Sequence, residues 1–183
     1  MNKLKLITLV LLSAVIIQSC KKESVTATAY TTDPFQANIN GATWAPADST
    51  SSTITYHSAT KTKVFNLSGE KDQKQIIMSI TLSNAANTPG FALGSYYVDS
   101  AATVTIQFNT IQKNSSGSYV YLPHGTVSPN SGTIIVTAVD SVKKQITGTF
   151  NFYSRSTDSS GEVTVDNILG GEFTALPYTF TSN

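Results

Sequence analysis

Ile146-Thr147-Gly148-Thr149-Phe150-Asn151-Phe152-Tyr153 is the stretch that decides the fold. Ile146, Gly148, Phe150 and Phe152 fall on one side of an extended chain, and Thr147, Thr149, Asn151 and Tyr153 on the other. A period of two belongs to a strand with one face in a core and the other in water. The same beat runs outward along the chain. Val104, Ile106 and Phe108 alternate with Thr103, Thr105 and Gln107; Phe35, Ala37 and Ile39 alternate with Gln36 and Asn38; Ile76, Met78, Ile80 and Leu82 alternate with polar or mixed neighbours. Thr, Val, Ile, Tyr and Phe dominate these runs, as a pleated, half-buried surface favours. Gly148 interrupts its strand, which marks either a bend or bulge, or room made for a facing aromatic ring.

Turn signals separate the runs: Asn40-Gly41, Ser68-Gly69, Pro89-Gly90, Ser116-Gly117, Asn130-Ser131-Gly132, Ser160-Gly161 and Gly170-Gly171. Asn-Gly is the strongest of these, because both central residues of a tight hairpin take positive φ. No stretch beyond the first residues carries a helical apolar stripe. Strands broken by turns at intervals of about 8–15 residues indicate an all-β fold, a single antiparallel β-sandwich of about nine to eleven strands. A closed antiparallel, lipocalin-like barrel is the alternative.

The chain opens differently. Lys3 and Lys5 precede the apolar run Leu6 to Ile17, and Ile17-Gln18-Ser19-Cys20 follows, with Cys20 the only cysteine of the 183 residues. The run is shorter than the roughly 20 residues a spanning helix needs and has the layout of a secretory signal. A lone cysteine in an exported chain has no internal disulfide partner. The layout predicts a lipoprotein signal peptide at residues 1–19, cleaved before Cys20, with a diacylglycerol on the sulfur and an acyl chain such as palmitate on the new amine. The polar stretch 20–33, which begins at Cys20 and continues as KKESVTATAYTTD, reads as a flexible tether, and residues 34–183 as the β-sandwich domain. Anchoring in the outer membrane through lipid on Cys20 follows, with the periplasmic or cell-surface side left open.

Charge excludes one class of partner. The chain has 12 basic and 11 acidic side chains, and losing Lys3 and Lys5 leaves 10 against 11. Arg155 is the only arginine. Polyanion affinity is built from clustered Lys and Arg, so nucleic acid is not an expected partner.

The stretches Ser131–Ser154 (SGTIIVTAVDSVKKQITGTFNFYS) and Gly161–Tyr178 (GEVTVDNILGGEFTALPY), with Phe35–Trp44 (FQANINGATW) and Gly94-Ser95-Tyr96, resemble a family of uncharacterised all-β Bacteroidetes lipoproteins. In that family a Gly-x-Ile-x-Ile-Thr strand leads to an x-Ile-x-Gly-Thr-Phe strand and to a Gly-x-Phe-x-x-x-Pro-Tyr ending. The chain departs from it at Asn167-Ile168-Leu169-Gly170-Gly171, where the family has a shorter turn. The resemblance implies an envelope protein with a β domain and carries over no catalytic residue.

Several side chains are candidates for a site. Trp44 suits a stacking platform for a sugar ring, although a lone tryptophan at a strand end equally caps a core. Tyr96 and Tyr97 form one local pair and Tyr119 and Tyr121 another; the second two share a face, which makes either a binding strip or a sheet-stabilising aromatic pair. His57 and His124 lack paired metal-ligand spacing, and no Asp-x-Asp-x-Asp loop occurs, so no metal or other cofactor is expected. Ser58-Ala59-Thr60-Lys61 and Ser141-Val142-Lys143-Lys144 fit S-x-x-K but fall in strand-to-strand turns, not at a helix start. Asp48-Ser49-Thr50, Asp99-Ser100-Ala101 and Asp140-Ser141-Val142 match the O-glycosylation pattern of exported Bacteroidetes proteins, which makes Ser49, Ser100 and Ser141 candidate acceptors. Glu162, Asp166 and Glu172 are the nearest approach to a hydrolase carboxylate pair. The expected function is a non-enzymatic binding module for a glycan or an envelope protein, with a structural envelope component or a hydrolase as alternatives.

Overall fold

The computed structural model describes residues 33–46 and 49–183. The leader 1–19, Cys20, the tether up to Thr32 and Asp48 lie outside the described residues.

Among the described residues, twelve strands form two six-stranded sheets. In the first, the spatial order is β2 (Ala42–Trp44), β1 (Phe35–Ile39), β11 (Val163–Pro177), β10 (Gln145–Thr157), β9 (Gly132–Asp140) and β6 (Gly94–Tyr97). In the second it is β12 (Thr179–Ser182), β3 (Thr50–His57), β4 (Thr62–Lys71), β5 (Lys74–Leu82), β7 (Val104–Lys113) and β8 (Tyr119–Pro123). The count exceeds the about nine to eleven expected from turn spacing, because pieces as short as β2, β6 and β12 fall below the length at which alternation is visible.

Two further expectations are corrected. Among the described residues neither sheet closes on itself or on the other, with β2 and β6 outermost in one and β12 and β8 in the other, so the barrel alternative does not hold. Nor is the domain wholly antiparallel. After β11 the chain passes through buried Tyr178 to the other sheet, where β12 runs parallel to β3 from Thr179↔Thr53 to Ser182↔Tyr56.

One core lies between the stacked sheets. Phe35, Ile134, Phe150, Phe152, Ile168 and Phe173 supply it from the first, and Ile54, Phe65, Leu67, Ile76, Met78 and Phe108 from the second. Phe65 and Phe173 meet across the gap with ring centroids 6.0 Å apart. Each such side chain contributes about 1.5–3 kcal/mol by leaving water.

Gly148 satisfies both readings of its place in the strand. The register of β10 slips there against β9, and a Cβ at 148 would collide with the Ile135 carbonyl oxygen and the Phe173 ring. The partner strand repeats the device: Gly171 stands opposite Phe150, whose ring would lie 2.5 Å from an added Cβ. Each glycine is thus covered by the aromatic facing it, which restores the buried area that a bare backbone lacks.

Polar side chains are also buried, Ser52 on the inward face of β3 among them. Lys63 alternates with Phe65 and Leu67 on the inward face of β4 and is 4% exposed. Ser154 and Asp166, paired across β10 and β11, are also buried.

Candidate functional site

Tyr119 and Tyr121 meet the outer face of the second sheet. In β7, Val104, Ile106 and Phe108 point into the core, so Ile111 and Lys113, of opposite parity, point outward. β8 pairs with β7 in the register Ile111↔Tyr121 and Lys113↔Tyr119, and directly opposed residues project to the same side. Ile111 is nevertheless buried. It forms the floor of a cleft of about 320 Å³ lined also by Tyr119, Tyr121, Glu70 and Gln73.

The β4–β5 hairpin supplies the far wall. Its two-residue loop, Asp72-Gln73, takes positive φ at both positions (51° and 60°), the geometry that matches strand twist. The Gln73 carbonyl then accepts from the Ile111 amide at 2.7 Å. Glu70 Oε2 accepts the Tyr121 hydroxyl at 3.0 Å. That hydrogen bond and the carboxylate's charge raise the Tyr121 pKa, so the phenol stays a donor. The Lys113 ammonium sits 5.2 Å from the Tyr119 ring centroid, over its electron-rich face. Both rings are more than half exposed, at 64% and 51%. The cleft offers two aromatic faces, a carboxylate and an amide to a ligand with apolar faces and hydroxyl edges.

The other aromatic candidates do not join it. Trp44 is buried, edge-on to Phe35 at 5.7 Å, with its indole N–H donating to the Lys71 carbonyl at 3.1 Å. It is a core residue and presents no stacking platform. Tyr96 is half-buried on β6: its ring packs on Phe91, its hydroxyl donates to the Ala92 carbonyl, and burial raises its pKa. Tyr97 is exposed on the same strand, an edge of the other sheet. The two tyrosine pairs therefore belong to separate surfaces.

Ser49, Ser100 and Ser141 are exposed and sit outside the named strands. Both S-x-x-K segments are turns. Among the described residues no group of three His, Cys, Asp or Glu converges as a metal site. The three acids of the hydrolase reading do not converge. Asp166 lies four residues beyond Glu162 and six before Glu172, separations of about 13 and 20 Å along an extended strand, beyond the spacing of a glycosidase pair. Asp166 and Glu172 also have their own partners, the latter the Gln36 side-chain amide.

Asp166 belongs instead to a network that sequence reasoning missed. Its Oδ2 lies 2.6 Å from His124 Nδ1, and its Oδ1 accepts from Asn40 Nδ2 at 2.8 Å. Asn40 in turn accepts the Asn167 amide at 2.8 Å. The His124 ring packs on Phe108 at 4.9 Å, and the Ser154 hydroxyl donates to the His124 backbone carbonyl. With Ser154 fully buried and bonded to a carbonyl, the trio is not a nucleophile and its base. It fastens the segment after β8 to β10 and β11.

Fold and cleft define a two-sheet all-β domain with an aromatic groove on one outer face. The chain belongs to the family described as Domain of unknown function (DUF6252), whose profile matches residues 31–177. No curated protein and no solved structure matches the chain.

Proposed function

We propose that the chain is an outer-membrane lipoprotein, lipidated at Cys20, whose stacked sheets act as a non-enzymatic β-sandwich module that binds a glycan in the β8 cleft. The observation that carries the binding reading is the pair Tyr119 and Tyr121, held side by side over Ile111 with the Glu70 carboxylate at hand. Sugar rings present C–H faces that stack on tyrosine and hydroxyls that a carboxylate accepts. Support for the anchor is the Lys3–Cys20 leader, and support for the Bacteroidetes lipoprotein setting is the resemblance of the strands quoted above. Ser49, Ser100 and Ser141, all exposed, remain acceptors for O-glycans in this reading.

A glycan array followed by titration of the best ligand tests the cleft. Tyr119→Ala and Tyr121→Ala should each weaken binding about tenfold, from the worth of one aromatic contact. Undiminished binding by the double variant would remove the cleft from the account, and binding of no glycan would turn the reading to a structural or protein-binding envelope component. Palmitate labelling lost in Cys20→Ser tests the anchor, and proteinase K on intact cells tests the side of the membrane. Intact mass of the native protein decides the O-glycans.

A further inference from the structure

Among the described residues Lys63 is the one buried cation, and it occupies a position that the β4 alternation assigns to the core. Its ammonium donates to the Thr88 carbonyl at 2.8 Å, to the Gly90 carbonyl at 2.7 Å and to the Thr88 hydroxyl at 3.2 Å. All three acceptors are neutral, and no carboxylate pairs with Lys63 among the described residues. Burial lowers its pKa from the ordinary 10.5. Neutral oxygens satisfy the donors but leave the charge uncompensated, which is an unfavourable state for a buried ion.

A cleft of about 510 Å³ opens on this lysine, lined also by Leu82, Ser83, Asn84, Thr88 and Phe91. That volume suits a small molecule. Its walls are held in place beforehand. Three consecutive carbonyls of the 83–93 loop are occupied: Thr88 and Gly90 by Lys63, and Pro89 by the Tyr178 hydroxyl at 2.7 Å. Tyr96 holds the Ala92 carbonyl at 2.7 Å. A wall ordered in advance spares the ligand that entropy.

We propose that this cleft binds a small monocarboxylate with an apolar body, its carboxylate paired to the Lys63 ammonium. The Thr88 hydroxyl is the longest of the three contacts, and a rotation about its χ1 releases one N–H without disturbing the two carbonyl bonds. One released donor and one positive charge match a monocarboxylate; a phosphate dianion demands more of both. Leu82 and Phe91 face the apolar body, and Ser83 and Asn84 supply polar groups at the same cleft. This site is separate from the β8 cleft, so either stands if the other falls.

The test is calorimetric titration and thermal unfolding of the full chain with hexanoate and with its neutral analogue hexanamide. Hexanoate should bind saturably and raise Tm by about 2–4 °C, with hexanamide at least about tenfold weaker. Lys63→Met should abolish the difference between the two. Should that variant fail to fold, Ala86→Trp fills the cleft from an exposed position and leaves the lysine network intact, and it should block hexanoate. No response to hexanoate, an equal response to hexanamide, or hexanoate binding retained by Lys63→Met or by Ala86→Trp overturns the proposal.

Discussion

At the scale of single residues, buried polar groups govern how stability responds to conditions. The folded pKa of Lys63 is lowered from 10.5 by burial. Between the folded value and 10.5 the unfolded chain binds more protons, so this lysine makes stability rise with pH across that window. Below the window it is charged in both states and its burial is fully unfavourable; above it that penalty is gone. The half-buried Tyr96 and the buried Tyr178 have raised pKa values and act oppositely at high pH, so the lysine's share is isolated by difference. Urea unfolding from about pH 7 to about pH 10 should show wild type gaining on Lys63→Met as pH rises. Trp44→Phe keeps most of the packing and deletes the indole N–H donated to Lys71. It should lower stability by about 0.5–1.5 kcal/mol, measured the same way, and leave glycan binding untouched.

Elements hold together through reciprocal fits. Gly148→Ala forces a methyl against the Ile135 carbonyl and the Phe173 ring, and should destabilise by about 1–3 kcal/mol in chemical unfolding. Asp166→Ala strips partners from Asn40 and His124, at about 2–3 kcal/mol for bonds to a buried carboxylate. Amide exchange should then quicken between His124 and Ser131, the stretch whose bridge of Thr126 to Arg155 continues the first sheet. The strands were legible because alternation writes itself into sequence: Phe150, Phe152, Ile76 and Met78 are inward as their spacing says. The shared face of Tyr119 and Tyr121 was legible for the same reason. Their neighbours were not. Glu70 and Tyr121 stand 51 positions apart and His124 and Asp166 stand 42 apart, so only strand register brings them together. Asp72-Gln73 turns without a glycine and gave no turn signal. Lys63 did carry a signal, an inward slot in the Lys63-Phe65-Leu67 beat, which a search for apolar residues passes over.

For the whole molecule, the described core draws on both sheets, and the family match begins at residue 31. The stretch from Thr32 onward should therefore unfold in one cooperative transition in a thermal scan, with calorimetric and van't Hoff enthalpies equal. The parallel pairing of β12 with β3 has a consequence in time. The last strand finds its partner across most of the chain, as the hydroxyls of Thr181 and Thr55, 126 positions apart, show by their hydrogen bond. β1 waits in the same way for β11, with Phe35 opposite Phe173. Contacts this remote slow folding towards the millisecond-to-second range. A chain made only as far as β10 still lacks the partner of β1 and the outer neighbour of β3, so neither sheet is complete before Val163–Ser182 has emerged.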